Sequence, residues 1–317
     1  MHALVTGGAG FIGSNIVDAL LARGDRVTVV DDLSTGRSEN LTAALAAGAT
    51  LLRLDIVAAD ELNAAFAAAR PDVVFHLAAQ IDVRRSVADP AADARINVEG
   101  TVNVLEAARV AGARRVVLSS TGGAIYGEAD TVPTPEDAPI RPLSPYGQAK
   151  YAGEGYARLF TSLRGLSTAV LRYSNVYGPR QDPLGEGGVI AIFCGKLASG
   201  GQPTVFGDGR QTRDYVYVED VVRANLTAAG ADAAGPWNVG TGVETSVLDL
   251  VEVVRGLGDD AAAFTPRFEP PRAGEVGRSC LDVTRAREQL GWEPRVPLAE
   301  GLLKTLAHVG AGAVGTR

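Results

Sequence analysis

ALVTGGAGFIG, residues 3–13, joins a short apolar run to a glycine-rich turn. The glycines at positions 8, 10 and 13 match the Gly-x-Gly-x-x-Gly fingerprint of a dinucleotide-binding turn, and those at 7, 10 and 13 fit the related three-glycine spacing. Glycine permits the tight turn and the close approach of the backbone to a pyrophosphate, and the helix that follows presents its free N–H groups to the phosphates. The stretch therefore predicts a strand, a dinucleotide-binding turn and a helix.

An acidic residue follows at the spacing expected for this turn. Asp31 comes directly after a second strand-like run, residues 26–30. Its carboxylate would accept hydrogen bonds from the adenosine ribose hydroxyls and repel a 2′-phosphate, so the sequence favours NAD over NADP. Arg37 offers the alternative, since its positive charge would counter Asp31 and admit NADP.

Strand-like runs alternate with amphipathic segments through the first half of the chain. The runs are residues 3–6, 26–30, 50–54, 72–76, 114–119 and 167–172, and the helical segments between them include 15–23, 60–69 and 97–111. Near-continuous apolar strands that alternate with helices are typical of a parallel sheet covered on both faces. We therefore expect a doubly wound α/β domain, a Rossmann fold, over residues 1–175.

The pattern changes after about residue 175. Gly- and Pro-rich segments interrupt the chain, and the shorter runs 215–218 and 237–239 lie between helices. We expect a smaller C-terminal α/β lobe, residues 176–317, that packs on the sheet and binds most of the substrate. Some of its chain is expected to return to the first domain.

The composition of the 317-residue chain argues against several classes of protein. A net charge of −7 offers no basic face for nucleic acid, and no apolar stretch is long enough to span a bilayer. The histidines, His2, His76 and His308, are too few for a histidine metal site or a catalytic triad, so we expect no metal. The two cysteines, Cys194 and Cys280, suit a reducing cytosol, and we expect a cytoplasmic protein.

A tyrosine and a lysine one helical turn apart are the candidate catalytic residues. The segment SPYGQAK, residues 144–150, puts Tyr146 and Lys150 at i and i+4, on one face of a helix. A phenol with a pKa of about 10 is a weak base at neutral pH, but an adjacent ammonium and a cationic nicotinamide both favour the phenolate. Tyr146 would then take a proton from a sugar hydroxyl. Lysine is rare in this chain, with Lys196 and Lys304 the others, and its presence here supports a specific role.

Three motifs together resemble a known family. They are GGAGFIG at residues 7–13, Tyr146-x-x-x-Lys150, and RYSNVYGPR at residues 172–180. From about residue 3 to about residue 305 the chain resembles the extended short-chain dehydrogenases that modify nucleotide sugars, and among them most resembles the bacterial UDP-glucose 4-epimerases. The resemblance implies a homodimeric, NAD-dependent isomerase. Such an enzyme oxidises a UDP-hexose at C4, lets the 4-keto sugar turn over, and reduces it from the opposite face.

The resemblance also implies which residues act and bind. The catalytic residues are Tyr146, Lys150 and Thr121. The cofactor-binding residues are Gly7, Gly10, Phe11, Ile12, Gly13, Asp31, Asp32, Ser34, Thr35, Gly36, Asp55, Ile56, Leu77, Ala78, Ala79, Gln80, Asn97, Ser119, Tyr146, Lys150 and Tyr173. The substrate-binding residues are Thr121, Gly122, Tyr146, Asn175, Gly188, Val189, Thr204, Phe206, Arg213, Arg272, Glu275 and Ser279.

Some of the substrate residues have definite roles by the same resemblance. Thr204 and Phe206 would hold uracil, Arg213 and Arg272 would clamp the diphosphate, and Glu275 would meet the uridine ribose. Two of these residues have simpler alternatives. Phe206 would otherwise be a core residue, and Arg213 would otherwise form a surface ion pair.

The residue seven positions after Arg272 is implied to lie beside the C2 substituent of the sugar. It is a bulky tyrosine in family members restricted to glucose, whereas this chain has Ser279. The small side chain predicts room for an N-acetyl group, and hence interconversion of UDP-GlcNAc and UDP-GalNAc as well as of UDP-glucose and UDP-galactose. The alternative is that Ser279 is simply a strand residue.

The chain departs from the family pattern beside the sugar. Gly122 stands where family members usually carry a Ser or Thr that bridges the substrate and the catalytic tyrosine, and Thr121 is the nearest hydroxyl. Sugar-nucleotide 4,6-dehydratases have an Asp-Glu pair where this chain has Gly123 and Ala124. Without that acid/base pair the elimination of water is hard to run, whereas epimerisation needs only the tyrosine and NAD.

Two other functions remain open from the sequence. One is a UDP-uronate 4-epimerase, with Arg180 as the partner of the substrate carboxylate. The other is a non-catalytic NAD sensor on the same fold. The intact Tyr146–Lys150 pair argues against the sensor, which has no use for it.

Overall fold

A parallel sheet of seven strands forms the centre of the protein in a computed structural model that describes residues 1–183, 188–258, 264–271 and 276–314. The described strands are β1 His2–Thr6, β2 Arg26–Asp31, β3 Thr50–Arg53, β4 Val73–His76, β5 Arg115–Thr121, β6 Thr168–Tyr173, β7 Asn175–Tyr177, β8 Thr204–Phe206, β9 Thr212–Arg213, β10 Tyr215–Tyr217, β11 Trp237–Val239, β12 Thr245–Ser246, β13 Arg267–Glu269 and β14 Arg278–Ser279. The main sheet has the order β11-β6-β5-β4-β1-β2-β3. The strand order changes direction at β1, because β2 and β3 lie on one side of it and β4, β5, β6 and β11 on the other. Ligands of such folds bind at the carboxyl ends of the strands beside this point.

Helices cover both faces of this sheet. The described helices are α1 Phe11–Ala22, α2 Thr42–Ala46, α3 Ala59–Ala69, α4 Val83–Ala88, α5 Pro90–Ala94, α6 Gly100–Val110, α7 Gly122–Ile125, α8 Pro145–Arg164, α9 Val189–Ala198, α10 Val218–Gly230, α11 Val247–Arg255, α12 Thr284–Leu290 and α13 Leu298–Val314, with a 3₁₀ turn at Ser38–Leu41 and a π-helical turn at Arg95–Glu99. None of them is both long and apolar enough to cross a membrane.

The alternation of side chains along β1 explains the two-sided core. Ala3 and Val5 belong to the core cluster that contains residues of α1 and α10. Leu4, between them, belongs to the cluster on the other face, with residues of α3 and α6. Successive residues of a strand point to opposite faces, so a strand buried on both faces reads as a continuous apolar run. The predicted doubly wound α/β fold is confirmed, and the strand ends differ from the prediction by one or two residues.

A second cluster forms the core of the smaller lobe. Phe193 of α9 meets Phe264 edge-on, with ring centroids 6.3 Å apart, and Val205 of β8 is fully buried in the same cluster. The parallel pair β8–β13 and the three strands β12-β9-β14 lie outside the main sheet. These elements make up the α/β lobe that the sequence predicted.

One run belongs elsewhere than the sequence suggested. The prediction placed residues 237–239 in the smaller lobe, but β11 pairs in parallel with β6 and extends the main sheet. Trp237 is completely buried there, so an apolar run that is too short to form a sheet alone instead covers the edge of β6. α10 also packs on β5 and β6. β11 and α10 thus bring part of the C-terminal half of the chain onto the main sheet.

Candidate active site

The glycine turn after β1 can pack this closely only because its residues lack side chains. Gly7 has φ +67°, and a Cβ there would lie 2.6 Å from the backbone nitrogen of Ala78. A Cβ on Gly13 would overlap the carbonyl oxygen of Gly7. α1 begins directly after Gly10 with no side-chain cap. The N–H groups of its first turn therefore face the turn, and this geometry fits the pyrophosphate of a dinucleotide.

The segment after β4 lies against this turn. Leu77 N–H donates to the carbonyl oxygen of Thr6 at 3.1 Å, and Ala78 N–H donates to its hydroxyl at 3.3 Å. Two residues after Ala78, the Gln80 N–H donates to Asn97 Oδ1 at 2.9 Å. The structure therefore brings together the predicted cofactor residues from β1, β4 and the π-helical turn.

Asp31 ends β2 beside the turn, as predicted. Its two carboxylate oxygens accept backbone N–H groups of Ala9 and Leu33, each at 2.9 Å, and burial raises its pKa. A Cβ on Gly36 would lie 2.6 Å from Asp31 Oδ1, so glycine leaves the carboxylate accessible from that side. Arg37 forms an ion pair with Asp182 at 2.9 Å. This pair is exposed to solvent on both sides.

The loop after β3 carries the predicted adenine residues. Asp55 Oδ1 accepts the N–H of Val57 at 2.9 Å, and the carbonyl oxygen of Ile56 accepts a hydrogen bond from Asn103 of α6 at 3.1 Å. Ile56 is buried, and a Cβ on Gly100 would lie 2.6 Å from its Cδ1. The loop is therefore held close to the start of α6.

Two predicted cofactor residues use their side chains within the protein. The Tyr173 hydroxyl donates to Asn225 of α10 at 2.9 Å. The Asn97 amide donates to the carbonyl oxygen of Gln80 and to Asp93, each at 2.9 Å. The polar atoms of these side chains are therefore engaged in supporting the pocket.

α8 places the catalytic pair. Ser144 caps the helix by accepting the N–H of Gly147 at 3.2 Å, and Pro145 is its first residue, a combination typical of helix starts. Tyr146 and Lys150 follow one turn apart. Lys150 is buried, and its ammonium donates to the carbonyl oxygen of Ser119 at the end of β5, at 3.1 Å. The predicted pair therefore lies on one helix, against the carboxyl end of the sheet.

Burial opposes the charged forms of both catalytic side chains. Desolvation lowers the pKa of Lys150 to about 8, although the carboxylates of Asp93 and Glu154 work in the opposite direction. Desolvation and the charge of Asp93 raise the pKa of Tyr146. The chain alone therefore holds Tyr146 as the neutral phenol, and the phenolate expected from the sequence requires further positive charge in the pocket.

The residues beside the sugar site explain the departure at position 122. Gly122 is buried, and a Cβ there would lie 2.5 Å from Leu281 Cδ1, so a Ser or Thr at this position requires the Leu281 side chain to move. The next residue, Gly123, is open. A Cβ on it would lie 3.8 Å from Asn175 Oδ1 and 3.9 Å from Thr121 Oγ1. Asn175 Oδ1 is buried with no hydrogen-bond donor in the described structure, and an open acceptor beside a hydroxyl suits a polar ligand.

The substrate residues of the smaller lobe lie on β8, β9 and β14. In β8, Val205 is the core residue, whereas Thr204 and Phe206 on the other side are only half-buried. The alternative of Phe206 as a core residue is therefore wrong. Arg213 donates to the carbonyl oxygen of Thr212 at 2.8 Å, and it pairs in register with Ser279 of β14. Gly188 lies at the start of α9, whose first residue is Val189. Arg272 and Glu275 lie outside the described residues.

His76 and Arg180 both have partners within the protein. His76 is buried between the hydroxyls of Thr6 at 2.7 Å and Thr101 at 3.0 Å, and desolvation lowers its pKa to about 3. It is therefore a neutral structural residue. Arg180 forms an ion pair with Asp18 of α1 at 2.6 Å. Its Nη1 is buried with no hydrogen-bond acceptor in the described structure, so this ion pair does not decide the uronate alternative.

Sequence reasoning missed three buried carboxylates that organise the site. Asp93 accepts hydrogen bonds from Gln80 and Asn97, and Glu154 forms an ion pair with Arg172. Asp214 accepts N–H groups of Thr241 at 2.7 Å and Leu281 at 3.3 Å, which ties the lobe to the end of the sheet. No motif marks these residues. The available signal was a carboxylate on the same helical face as a predicted site residue, such as Asp93 four positions before Asn97.

A dinucleotide turn at the switch point of a parallel sheet, with a helical Tyr146–Lys150 pair at the same edge, defines an extended short-chain dehydrogenase. The chain belongs to the NAD dependent epimerase/dehydratase family, whose model matches residues 3–240. The predicted family, enzyme class and NAD cofactor are thereby confirmed.

Relatives of this family resemble the chain over almost its whole length. The UDP-glucose 4-epimerase of Mycolicibacterium smegmatis is 52% identical over 308 residues, which are 96% of this chain and 97% of that protein. The crystal structure of the UDP-glucose 4-epimerase of Thermotoga maritima with UDP-glucose has a TM-score of 0.94 and 47% identity, covering 99% of this chain and 100% of that one. The Thermus thermophilus UDP-glucose 4-epimerase complex with NAD has a TM-score of 0.89 and 42% identity, covering 98% and 99%.

Proposed function

We propose that this protein interconverts UDP-hexoses by epimerisation at C4, with UDP-glucose and UDP-galactose as its substrates and with Tyr146 as the proton acceptor. The observation that carries the proposal is the position of the Tyr146–Lys150 pair on α8, at the same edge of the sheet as Thr121 and the open Asn175 Oδ1. The names of the relatives and the UDP-glucose in the Thermotoga structure support this substrate class.

The residues at the sugar site favour epimerisation over elimination. Gly123 and Ala124 supply no acid or base, so no side chain there assists the loss of water. Gly123 adds no side chain beside Thr121 and Asn175, where even a Cβ would make only ordinary contacts. The reaction then needs one residue that both removes and returns the proton of the C4 hydroxyl, and Tyr146 is that residue.

Each protein group has a definite part in the proposed mechanism. The turn at Gly7–Gly13, Asp31 and the segment after β4 would hold NAD, which when bound supplies the hydride acceptor and donor and a positive charge. Lys150 favours the phenolate of Tyr146 and is held in place by Ser119. Thr121 and Asn175 orient the sugar, and the smaller lobe retains the nucleotide while the 4-keto sugar turns.

A panel of sugar nucleotides tests the function. The purified protein, without added NAD, is incubated with UDP-hexoses, UDP-N-acetylhexosamines and UDP-uronates, and the anomeric protons are followed by NMR. We expect UDP-glucose and UDP-galactose to interconvert with no net NADH. Loss of water or carbon dioxide from the substrate, or turnover of UDP-uronates alone, would contradict the proposal.

We also propose that the protein is a cytoplasmic homodimer formed through α6 and α8. These helices pack together and expose Val110, Leu159 and Leu163, which are 62%, 50% and 73% exposed. A two-fold axis would bury the same apolar stripe on both subunits. Buried, unpaired Cys194 and Cys280 suit a reducing compartment.

Light scattering tests the dimer. The wild-type protein is expected at twice the 32.8 kDa chain mass, and the Leu159→Asp/Leu163→Asp variant at the mass of one chain. Leu303→Asp, on the exposed side of α13, is the control and leaves the dimer intact. A monomeric wild type would overturn the proposal.

A further inference from the structure

A buried carboxylate lies between the cofactor loop and the catalytic helix. Asp93, on α5, is 1% exposed. Its Oδ1 accepts hydrogen bonds from Gln80 Nε2 and Asn97 Nδ2, each at 2.9 Å. Gln80 and Asn97 also bond to each other through their backbone and amide groups. Asp93 therefore fixes two residues of the predicted cofactor pocket at once.

Asp93 forms no direct ion pair within the described part of the chain, and its Oδ2 is buried without a hydrogen-bond donor. Burial raises the pKa of Asp93, whereas the hydrogen bonds from Gln80 and Asn97 and the positive charge of Lys150 lower it. In its ionised form this carboxylate acts strongly on nearby groups, because a buried charge is poorly screened.

The groups that face this charge are those of the catalytic helix. α5 packs on α8, and the charge of Asp93 raises the pKa of both Tyr146 and Lys150. The other carboxylate acting on Lys150 is Glu154, which Arg172 neutralises at 2.7 Å.

The remaining charged groups on neighbouring elements are weaker influences. His76 is neutral, with its pKa lowered to about 3. Asp82, Arg84 and Arg85 of α4 and its cap, together with Arg95 of the π-helical turn, are partly or fully exposed to solvent. Solvent screens such charges, so Asp93 is the acidic group that acts most directly on the catalytic pair.

We propose that Asp93 is a positioning residue that holds Gln80 and Asn97 in the cofactor pocket and sets the charge balance of the catalytic pair, favouring the ammonium of Lys150 and the neutral phenol of Tyr146. The inference rests on the proposed roles of Tyr146 and Lys150. A neutral resting phenol that ionises only when the pocket is filled couples proton removal to substrate and cofactor binding.

Two substitutions separate the charge of Asp93 from its hydrogen bonds. Asp93→Asn keeps a carbonyl oxygen that accepts from Gln80 and Asn97 but removes the charge. A negative charge raises the pKa of a lysine and of a tyrosine alike, so its removal lowers both. Both limbs of the pH profile of turnover therefore move to lower pH, by about one unit for a nearby buried charge. Asp93→Glu keeps the negative charge but moves the carboxylate away from Gln80 and Asn97. We expect turnover to fall while both limbs of the pH profile stay at their wild-type positions.

The experiment is the pH dependence of kcat, from UDP-galactose to UDP-glucose, for the NAD-loaded wild type, Asp93→Asn, Asp93→Glu and the control Glu99→Gln. Glu99 is an exposed acid on the π-helical turn, and its variant is expected to follow the wild-type profile. A second readout needs no turnover: absorbance of the phenolate, corrected with Tyr146→Phe, reports the ionisation of Tyr146 in each holoenzyme.

The expected result is a joint shift of both limbs and of the Tyr146 titration in Asp93→Asn. The inference would be overturned if the wild type is active but Asp93→Asn has the wild-type pH profile. It would also be overturned if Asp93→Asn loses turnover equally at every pH and the titration of Tyr146 does not shift. A wild type that converts no UDP-sugar would instead overturn the proposed function, and the absorbance titration would still decide the role of Asp93.

Discussion

Glu154 and Arg172 form a two-pronged ion pair between the catalytic helix and the main sheet. Arg172 Nη2 lies 2.7 Å from Glu154 Oε2, and Nε lies 3.0 Å from Oε1. Both side chains are almost completely buried. The second arm of the guanidinium donates to the Tyr126 hydroxyl at 2.8 Å. Because Glu154 lies one turn after Lys150, this pair fixes the part of α8 that carries the catalytic residues.

Removal of one partner of this ion pair is expected to be costly. Arg172→Met leaves a buried carboxylate without its cation, and we expect the free energy of unfolding to fall by about 3–5 kcal/mol. Urea titration followed by circular dichroism measures it. The control is Arg109→Met, which breaks the solvent-screened pair with Glu106 and is expected to cost much less. Similar losses for both variants would contradict this account of the buried pair.

His76 makes the stability of the protein depend on pH. Its pKa is lowered to about 3 in the folded protein, from about 6.5 in the unfolded chain, so below pH 6.5 the unfolded chain binds a proton that the folded protein excludes. The folded state therefore loses stability as the pH falls, by about 2 kcal/mol between pH 7 and pH 5. His76→Asn removes this contribution. We expect the free energy of unfolding to fall less steeply with acid in the variant than in the wild type, and parallel curves would be inconsistent with a neutral buried His76.

Asp31 is expected to set the choice of cofactor. The wild type should bind NAD more tightly than NADP, because the carboxylate accepts from the ribose and repels a 2′-phosphate. Asp31→Ala should lower this preference by about tenfold or more, the equivalent of one charge-assisted hydrogen bond of about 1.5 kcal/mol. Fluorescence titration of cofactor-free protein measures both dissociation constants. Asp31→Asn, which removes the charge but keeps one oxygen to accept from Ala9 or Leu33, separates the effect of the charge from the loss of the whole side chain. Equal binding of NAD and NADP by the wild type would refute the assignment.

Ser279 is expected to control the size of the sugar that the pocket admits. It lies on β14, in register with Arg213 of β9, and is half-buried. The wild type should convert UDP-GlcNAc as well as UDP-galactose. Ser279→Tyr should lose about 10–100-fold of its turnover with the N-acetyl sugar and keep that with UDP-galactose, because only the N-acetyl group needs the space. Ser279→Thr is the control and should keep both activities. Equal loss of both in the tyrosine variant would show that Ser279 is not the gate.

The parts of the fold that follow from local pattern could be predicted from the sequence. The glycine turn, the strand ending at Asp31 and the helix with Tyr146 and Lys150 each depend on residues close together in the chain. The place of β11 could not be predicted, because a three-residue apolar run does not specify its partner strand. Periodicity shows that a residue is buried but not what it contacts.

The candidate site also combines features that the sequence predicts with contacts that depend on packing between distant parts of the chain. The missing hydroxyl at Gly122 was evident from the sequence, but the packing of Gly122 against Leu281 joins positions far apart in the chain. The pair of Glu154 with Arg172 likewise depends on how α8 packs on the sheet, and the contact of Asp93 with Gln80 depends on how α5 packs on α8. A buried carboxylate has no sequence signature that separates it from a solvated one.

The central claim is that Tyr146 removes and returns the C4 hydroxyl proton. Its most direct test is the rate of interconversion of UDP-galactose and UDP-glucose, followed by anomeric proton NMR with no added NAD, for the wild type and Tyr146→Phe. Tyr151→Phe, on the same helix, is the control and should keep wild-type turnover. We expect Tyr146→Phe to fold and retain NAD while its kcat falls by about 10³-fold. A Tyr146→Phe protein that turns over at close to the wild-type rate would contradict the mechanism.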